Sequence, residues 1–343
     1  MFATEAKEHL RILLADPEVP TVMLWGPPGV GKSSIVRQIA AESGWGFLDL
    51  RLLLLNPIDL RGIPYPNRET RQADWLAPSF LPHVGRDGTT GIILYDELTS
   101  APRAVQAAAY QLILDRRVGE YLLPEGWRQV AAGNRAQDKG VVNQMPAALA
   151  NRMIHFEVTC SLEDWKRWAI PNRIDHRVIS FLNFRPELLY RFPNQASEIK
   201  AFPTPRSWEF VHKILPSYGL VERAFPAICG AVGEGPATEF TAFCRMLEQI
   251  PDAEEILDGK TTAVPDSPDM IYACIGALVS SLSNNTTTAR MSNFFAFISL
   301  LMIEYQVLAI NDAVKANLRT ELVMLPEFRN WLARNTDVLV GAE

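Results

Sequence analysis

The chain carries only four cysteines, Cys160, Cys229, Cys244 and Cys274, and no two of them form a CxxC pair. That removes the usual spacing of a zinc ribbon or a redox dithiol. A disulfide framework is not expected at this length either, so buried thiols in a reducing cytoplasm are the expectation. Basic blocks longer than a few residues are also missing, and the net charge is -6. Neutralising nucleic-acid phosphates needs clustered Lys and Arg, so the balance argues against a nucleic-acid binder, although a local basic loop stays compatible with it. The start, Met1 to Glu8, is charged and mixed, with no basic segment followed by an apolar one. No signal peptide is expected, and a cytoplasmic setting is. The longest apolar stretch, Phe294 to Ile310, is interrupted by Ser299, Glu304 and Gln306. It reads as a buried helix rather than a membrane span. No repeat of fixed period stands out.

What remains is an ordinary globular composition. Of 343 residues, 48% are hydrophobic and 21% charged, enough for two domains with a buried core. The first half alternates short apolar runs with helical patterns. Thr21–Trp25, Phe47–Leu53, Gly91–Tyr95, Arg128–Ala132 and Met153–Val158 read as strands. Ser33–Glu42 and the Ala-rich Pro102–Arg116 read as helices between them. Strands alternating with helices predict an α/β unit, a parallel sheet flanked by helices. From about Ser161 the pattern is helical. Leu162–Ile170 and Ser207–Leu215 are helix candidates, Gly230–Pro236 and Val264–Asp269 are breaks, and Ser292–Arg319 reads as the longest helix.

The first chemistry-bearing motif is Gly26-Pro27-Pro28-Gly29-Val30-Gly31-Lys32-Ser33, which fits G-x-x-x-x-G-K-[ST]. It follows an apolar run and opens a helical pattern, the context a phosphate-binding P-loop requires. Glycines let main-chain N–H groups curl around phosphates, and the helix N-terminus favours their charge. Lys32 is expected to reach the β- and γ-phosphates of ATP, with Ser33 on Mg²⁺ and Ser34 beside them. The second motif is Gly91-Ile-Ile-Leu-Tyr-Asp96-Glu97, an apolar strand ending in two acids. Asp96 is expected to hold Mg²⁺ through its water shell, and Glu97 to act as general base on the attacking water. Taken alone, that pattern fits a solvated acidic turn. P-loop kinases of small molecules have no general need for such a base.

With these two motifs the sequence resembles an AAA+ ATPase, and within that class the MoxR family, over about residues 19–210. Ala131-Ala-Gly-Asn134 resembles the sensor 1 motif; the resemblance implies that Asn134 orients water or contacts the γ-phosphate. Pro146–Arg152 resembles the stretch before the fifth strand, and implies that Arg152 is an arginine finger acting on the next subunit's nucleotide. Arg135 is the rival for that role. Pro203-Thr-Pro-Arg-Ser-Trp208 resembles sensor 2 and implies that Arg206 contacts the γ-phosphate, the plainer reading being a capped helix start with Arg206 in water. Asn56–Pro64 through Trp75–Pro78 falls where the family interrupts its second helix with an insert, and Arg117–Arg128 where it carries a pre-sensor hairpin, here with Gly126 in or near the turn. Tyr65, Trp75, Tyr121 and Trp127 are then substrate-contact candidates, each equally explained by packing.

The expected organisation is a P-loop ATPase core at 1–159, with the insert at about 56–80 and the hairpin at about 117–128. A helical lid at 160–219 and a helical C-terminal region at 220–343 follow; the latter is either an expanded lid or a partner-docking domain. The resemblance implies a homo-oligomeric ring, a hexamer, remodelling a protein partner in a chaperone-like way with a von Willebrand factor A domain protein. Two other readings stay open: a nucleic-acid motor or loader, and an assembly protein that binds ATP without turnover.

Overall fold

The computed structural model describes residues 1–135, 138, 143, 145–192, 200–247 and 251–335. It divides into two compact units, Met1–Cys160 and Ser161–Glu343.

The first unit runs α1 (Ala3–Leu13), β1 (Val22–Trp25), α2 (Lys32–Ser43), β2 (Gly46–Arg51), α3 (Pro57–Arg61), β3 (Ile63–Asn67), β4 (Gln72–Leu76), α4 (Val84–Asp87), β5 (Gly91–Asp96), α5 (Arg103–Asp115), β6 (Arg117–Val118), β7 (Tyr121–Leu122), β8 (Trp127–Gly133), α6 (Ala147–Ala150) and β9 (Ile154–Glu157). Five of these strands form one sheet in the order β2-β5-β8-β1-β9, and each neighbouring pair is parallel. The central strands are mostly apolar, as in a parallel sheet covered on both faces, with Arg128 and Gln129 at the start of β8 the buried polar exceptions. Ile93, Tyr95, Ala131 and Met23 turn to one face and pack with Val105, Ala109 and Leu112 of α5. The register sets Trp25 beside Gly133 and Glu157, and Arg51 beside Asp96. The carboxyl ends of β1, β5 and β8 therefore finish at one rim, where an open α/β sheet binds its ligand.

The residues 56–80 fold as α3 and the antiparallel pair β3–β4, not as a continuous helix. Pro64 and Pro66 lie in β3, and helix propensity could not survive them. Tyr65 is 59% and Trp75 39% exposed on this pair. The second hairpin turns at Gly119–Glu120, because Arg117 pairs with Leu122 and Val118 with Tyr121. Gly119 supplies the positive φ of 56° that the turn needs. Gly126 instead lies just before β8, which corrects its expected place in the turn. Arg116 secures this segment by donating to the carbonyls of Pro124, Glu125 and Trp127. Trp127 is 1% exposed and its indole N–H donates to Gly88 O, while the Tyr121 hydroxyl donates to Pro82 O. Those two aromatics are packing residues.

In the second unit, the described residues form α7 (Leu162–Ala169), α8 (His176–Phe184), α9 (Pro205–Tyr218), α10 (Val221–Val232), α11 (Glu234–Leu247), α12 (Ala253–Leu257), α13 (Pro268–Asn284), α14 (Thr288–Ile298), α15 (Ile303–Lys315), α16 (Arg319–Met324) and α17 (Pro326–Arg334). α13 is the longest, and Ser292–Arg319 is two helices with a corner at Ser299–Met302. The corner has a polar cause. The Ser299 hydroxyl returns to Phe295 O, and the Gln306 amide donates to Leu301 O across the bend. Phe294, Phe297, Ile298, Tyr305 and Ala309 still enter one apolar core with Ile275, Leu278 and Leu282 of α13. The break between α10 and α11 narrows to Gly233 alone. Cys244 and Cys274 are buried, and burial pushes the Cys274 thiol up to about 12. Cys160 and Cys229 are partly exposed, a correction to the expectation of four buried thiols. Among the described residues no helix is long and apolar enough to cross a membrane.

Candidate functional site

The loop between β1 and α2 is shaped by close packing. A Cβ on Gly26 would stand 2.4 Å from Val158 O, so no other residue fits there without moving β9. Val30 is 4% exposed and plugs the loop from beneath, so its side chain serves the core and its main chain the cradle. Lys32 opens α2 and is 8% exposed. Its ammonium donates to Gly26 O at 2.6 Å, Pro27 O at 3.0 Å and Asn134 Oδ1 at 3.2 Å. These acceptors occupy the donors that anionic phosphate oxygens would take more strongly. Ser33 follows and its hydroxyl donates to Asp96 Oδ2 at 2.8 Å. Ser34 is exposed on the outer side of the same turn.

β5 ends at Asp96, and the chain turns sharply. Glu97 takes a φ of 58°, a left-handed conformation uncommon for a residue with a side chain. Such strain costs about 1–3 kcal/mol and is held only when its surroundings enforce it. Here Glu97 N–H donates to Asp96 Oδ1 at 3.0 Å. Glu97 Oε2 accepts from Ser100 Oγ at 3.1 Å and from Asn134 Nδ2 at 3.4 Å. Asn134 leaves β8 and so spans both halves of the site: its amide oxygen faces Lys32 and its amide nitrogen faces Glu97.

Sequence reasoning missed Thr99, which fixes that bridge. It is 1% exposed, accepts from Asn134 N at 3.0 Å and donates to Asn134 O at 3.1 Å. Its only signal is a hydroxyl two positions after the second acid. Asp49 on β2 was missed too. Arg37 of α2 donates to its Oδ2 at 3.3 Å, and its buried Oδ1 has no hydrogen-bond partner among the described residues. Burial, and then the nearby Asp96 charge, raises the Asp49 carboxyl above its ordinary range.

The two arginines proposed for the subunit boundary differ. Arg135 pairs with Asp138, Nη2 to Oδ1 at 3.0 Å, and with Glu157 at 3.3 Å. Donating to the Asp138 carboxylate raises its guanidinium's pKa. Arg152 is exposed, and its side chain has no partner among the described residues. Arg206 stands in the second unit at the second position of α9, also exposed. That helix start is capped: Thr204 Oγ1 accepts from Ser207 N at 3.0 Å and Ser207 Oγ from Thr204 N at 2.7 Å. The plainer reading of this segment therefore accounts for Thr204 and Ser207.

The donor set suits Mg²⁺. It is a hydroxyl and a carboxylate in contact, hard oxygens of the kind that hold this ion together with substrate phosphates.

Residues 22–65 match the AAA family, "ATPase family associated with various cellular activities". Among characterised proteins, the cytidylate kinase of Methylococcus capsulatus is 35% identical over 82 residues. That match covers 23% of this chain and 36% of the kinase, so the chain spans about a third of that relative. Among solved structures, a presumed ATPase of Cytophaga hutchinsonii aligns with a TM-score of 0.35 at 15% identity, covering 89% of this chain and 80% of the other. The P216G mutant of Thermotoga maritima RuvB aligns with a TM-score of 0.35 at 14% identity over 75% of each chain. Likenesses at this score bear on neither fold nor function.

Proposed function

We propose that the chain is an AAA+ ATPase of the MoxR type, hydrolysing ATP in a ring, a hexamer, to remodel or activate a protein partner in the cytoplasm. The observation that carries this reading is the Asn134 bridge between Lys32 and Glu97, with Ser33 and Asp96 in contact beside it. A P-loop kinase needs only the phosphate cradle. Here a carboxylate is held in a strained turn next to the lysine by an amide, as activation of water requires.

The roles follow from the contacts. The Gly26–Ser33 loop binds the triphosphate, and Lys32 exchanges its carbonyl partners for the β- and γ-phosphates. Ser33 and Asp96 would hold Mg²⁺, which neutralises phosphate charge when bound. Glu97 takes a proton from the attacking water, and the Asn134 amide keeps the carboxylate and the water in line. Arg152, exposed and without a side-chain partner among the described residues, extends to the neighbour's γ-phosphate, where a guanidinium stabilises the charge of the transition state. Arg206 contacts the γ-phosphate and couples the helical unit to nucleotide state. Exposed Tyr65 and Trp75 on the insert contact the protein substrate. The partner carries a von Willebrand factor A domain. This last element rests on family resemblance alone.

Glu97→Gln tests the chemistry. Turnover falls by roughly 10²- to 10⁴-fold, the share of a general base, while a fluorescent ATP analogue binds with unchanged affinity. Undiminished turnover in Glu97→Gln would return the site to the kinase or binding-only class.

A further inference from the structure

His155 lies on β9 and is absent from every role above, yet both its ring nitrogens are engaged. The Trp25 indole N–H donates to His155 Nδ1 at 2.8 Å. An indole nitrogen can only donate, so Nδ1 must accept and the proton sits on Nε2. Nε2 lies 2.8 Å from Ala150 O, which can only accept. The partners alone fix the tautomer. The two rings lie edge to edge and close to one plane, with centroids 6.0 Å apart and planes at 24°, as an in-plane N–H···N bond requires.

The ends of this bridge are telling. Trp25 directly precedes Gly26, whose carbonyl holds the Lys32 ammonium. Ala150 ends α6, and its carbonyl also accepts from Met153 N at 3.1 Å. Arg152 N donates to Leu149 O at 2.9 Å in the same turn. The turn that presents Arg152 is short, anchored by the buried Leu149 and Met153 side chains, and closed by main-chain bonds of this kind. Leu149 and Met153 share an apolar core with Met23 and Trp25, and His155 adds a side-chain hydrogen-bond bridge between the turn and the strand feeding the phosphate loop.

We infer that His155 is a positioning residue for Arg152: it sets where the guanidinium is presented and links that placement to the loop that holds the nucleotide in the same subunit. This rests on the reading that Arg152 serves the neighbouring site. When a phosphate draws Lys32 away from Gly26 O, the Gly26 peptide is released. The displacement reaches Ala150 through two hydrogen bonds. Misplacing a catalytic group by about 1 Å can cost on the order of 100-fold in rate, so a strut of this kind acts on kcat and leaves nucleotide affinity alone.

The test uses mixed full-length oligomers. Donor subunits carry Glu97→Gln, so they bind ATP and assemble without turning it over. They are mixed in excess with wild-type acceptors, whose kcat and KM are read. Donors with Glu97→Gln alone sustain acceptor turnover. Donors with an added Arg152→Ala abolish it. Donors with an added His155→Phe lower acceptor kcat roughly 10- to 100-fold at constant KM. An added His155→Gln, which can accept from Trp25 and donate to Ala150 O, restores most of it. Sedimentation and binding of the fluorescent analogue check that each donor assembles and binds nucleotide. If His155→Phe donors serve as well as the parent donors while Arg152→Ala donors fail, the strut is refuted and the arginine finger stands. If Arg152→Ala donors serve equally well, the finger itself is refuted, and the strut with it.

Discussion

The two units bury polar groups to opposite ends. In the first, the polar side chains of the candidate site gather at the rim of a sheet, and their bonds are provisional. Lys32 spends its donors on main-chain carbonyls, Glu97 sits in a strained turn, and Asp49 keeps a buried oxygen without a hydrogen-bond partner among the described residues. In the second, the polar cluster is closed. Lys166 is fully buried and meets Asp312 at 2.5 Å, Asn183 at 2.9 Å and Glu163 at 3.2 Å, while Asn183 donates to Asp312 Oδ2. Every charged member faces an opposite charge, Asp312 Oδ1 meeting Lys166 as an ion pair. One cluster is arranged to exchange partners with a ligand, the other to hold helices α7, α8 and α15 in one register.

Substitutions should separate the two kinds of cluster. The largest effect is that of Glu97→Gln, where the loss of turnover comes with a denaturation midpoint no lower than wild type, because the substitution removes a like charge beside Asp96 and keeps the side chain's shape. Lys166→Met does the reverse. It takes the nearest cation from the Asp312 carboxylate, 2% exposed, leaving it Asn183 and, at 3.8 Å, Lys315, and should lower stability by about 3–5 kcal/mol in urea titration. Adding Asp312→Leu should recover most of that loss, because removing both charges also removes the penalty. A single variant as stable as wild type would show that the cluster is not a closed pair. Thr99→Val lies between the two: it keeps shape but orphans the Asn134 main chain, costing about 1–3 kcal/mol and also reducing kcat. If stability falls and kcat does not, Thr99 is a scaffold residue only. Lys213→Ala breaks an exposed ion pair with Glu209 and should change stability by less than about 0.5 kcal/mol, the baseline for the series.

How far the sequence could be read depended on what each feature rests upon. The loop at Gly26–Ser33 and the strand ending at Asp96 were legible because local spacing alone places their atoms. The parallel sheet followed from runs apolar on both faces. Thr99, Asp49 and His155 were not legible, since their roles arise from register between strands distant in sequence: His155 meets Trp25 only because β9 lies beside β1. The corner at Ser299–Met302 escaped for a different reason. The apolar pattern runs straight through it, and side-chain bonds from Ser299 and Gln306 decide the bend. The placement of Gly126 failed because two glycines compete for one turn, and strand pairing chose Gly119.

The pair β3–β4 has a consequence for how the protein behaves in a crowded solution. A ladder bond needs an N–H on each partner, so the bonded pairs are Ile63 with Leu76, Tyr65 with Asp74 and Asn67 with Gln72. Pro64 and Pro66 then turn their ring nitrogens outward. The free edge of β3 presents carbonyls and no donors. Ile63, Tyr65 and Leu76 are all more than half exposed there, a composition that would otherwise invite strands from other molecules. The two prolines cap the growth of this small sheet on that side, so a sticky, solvent-facing hairpin can be kept without becoming a seed for aggregates.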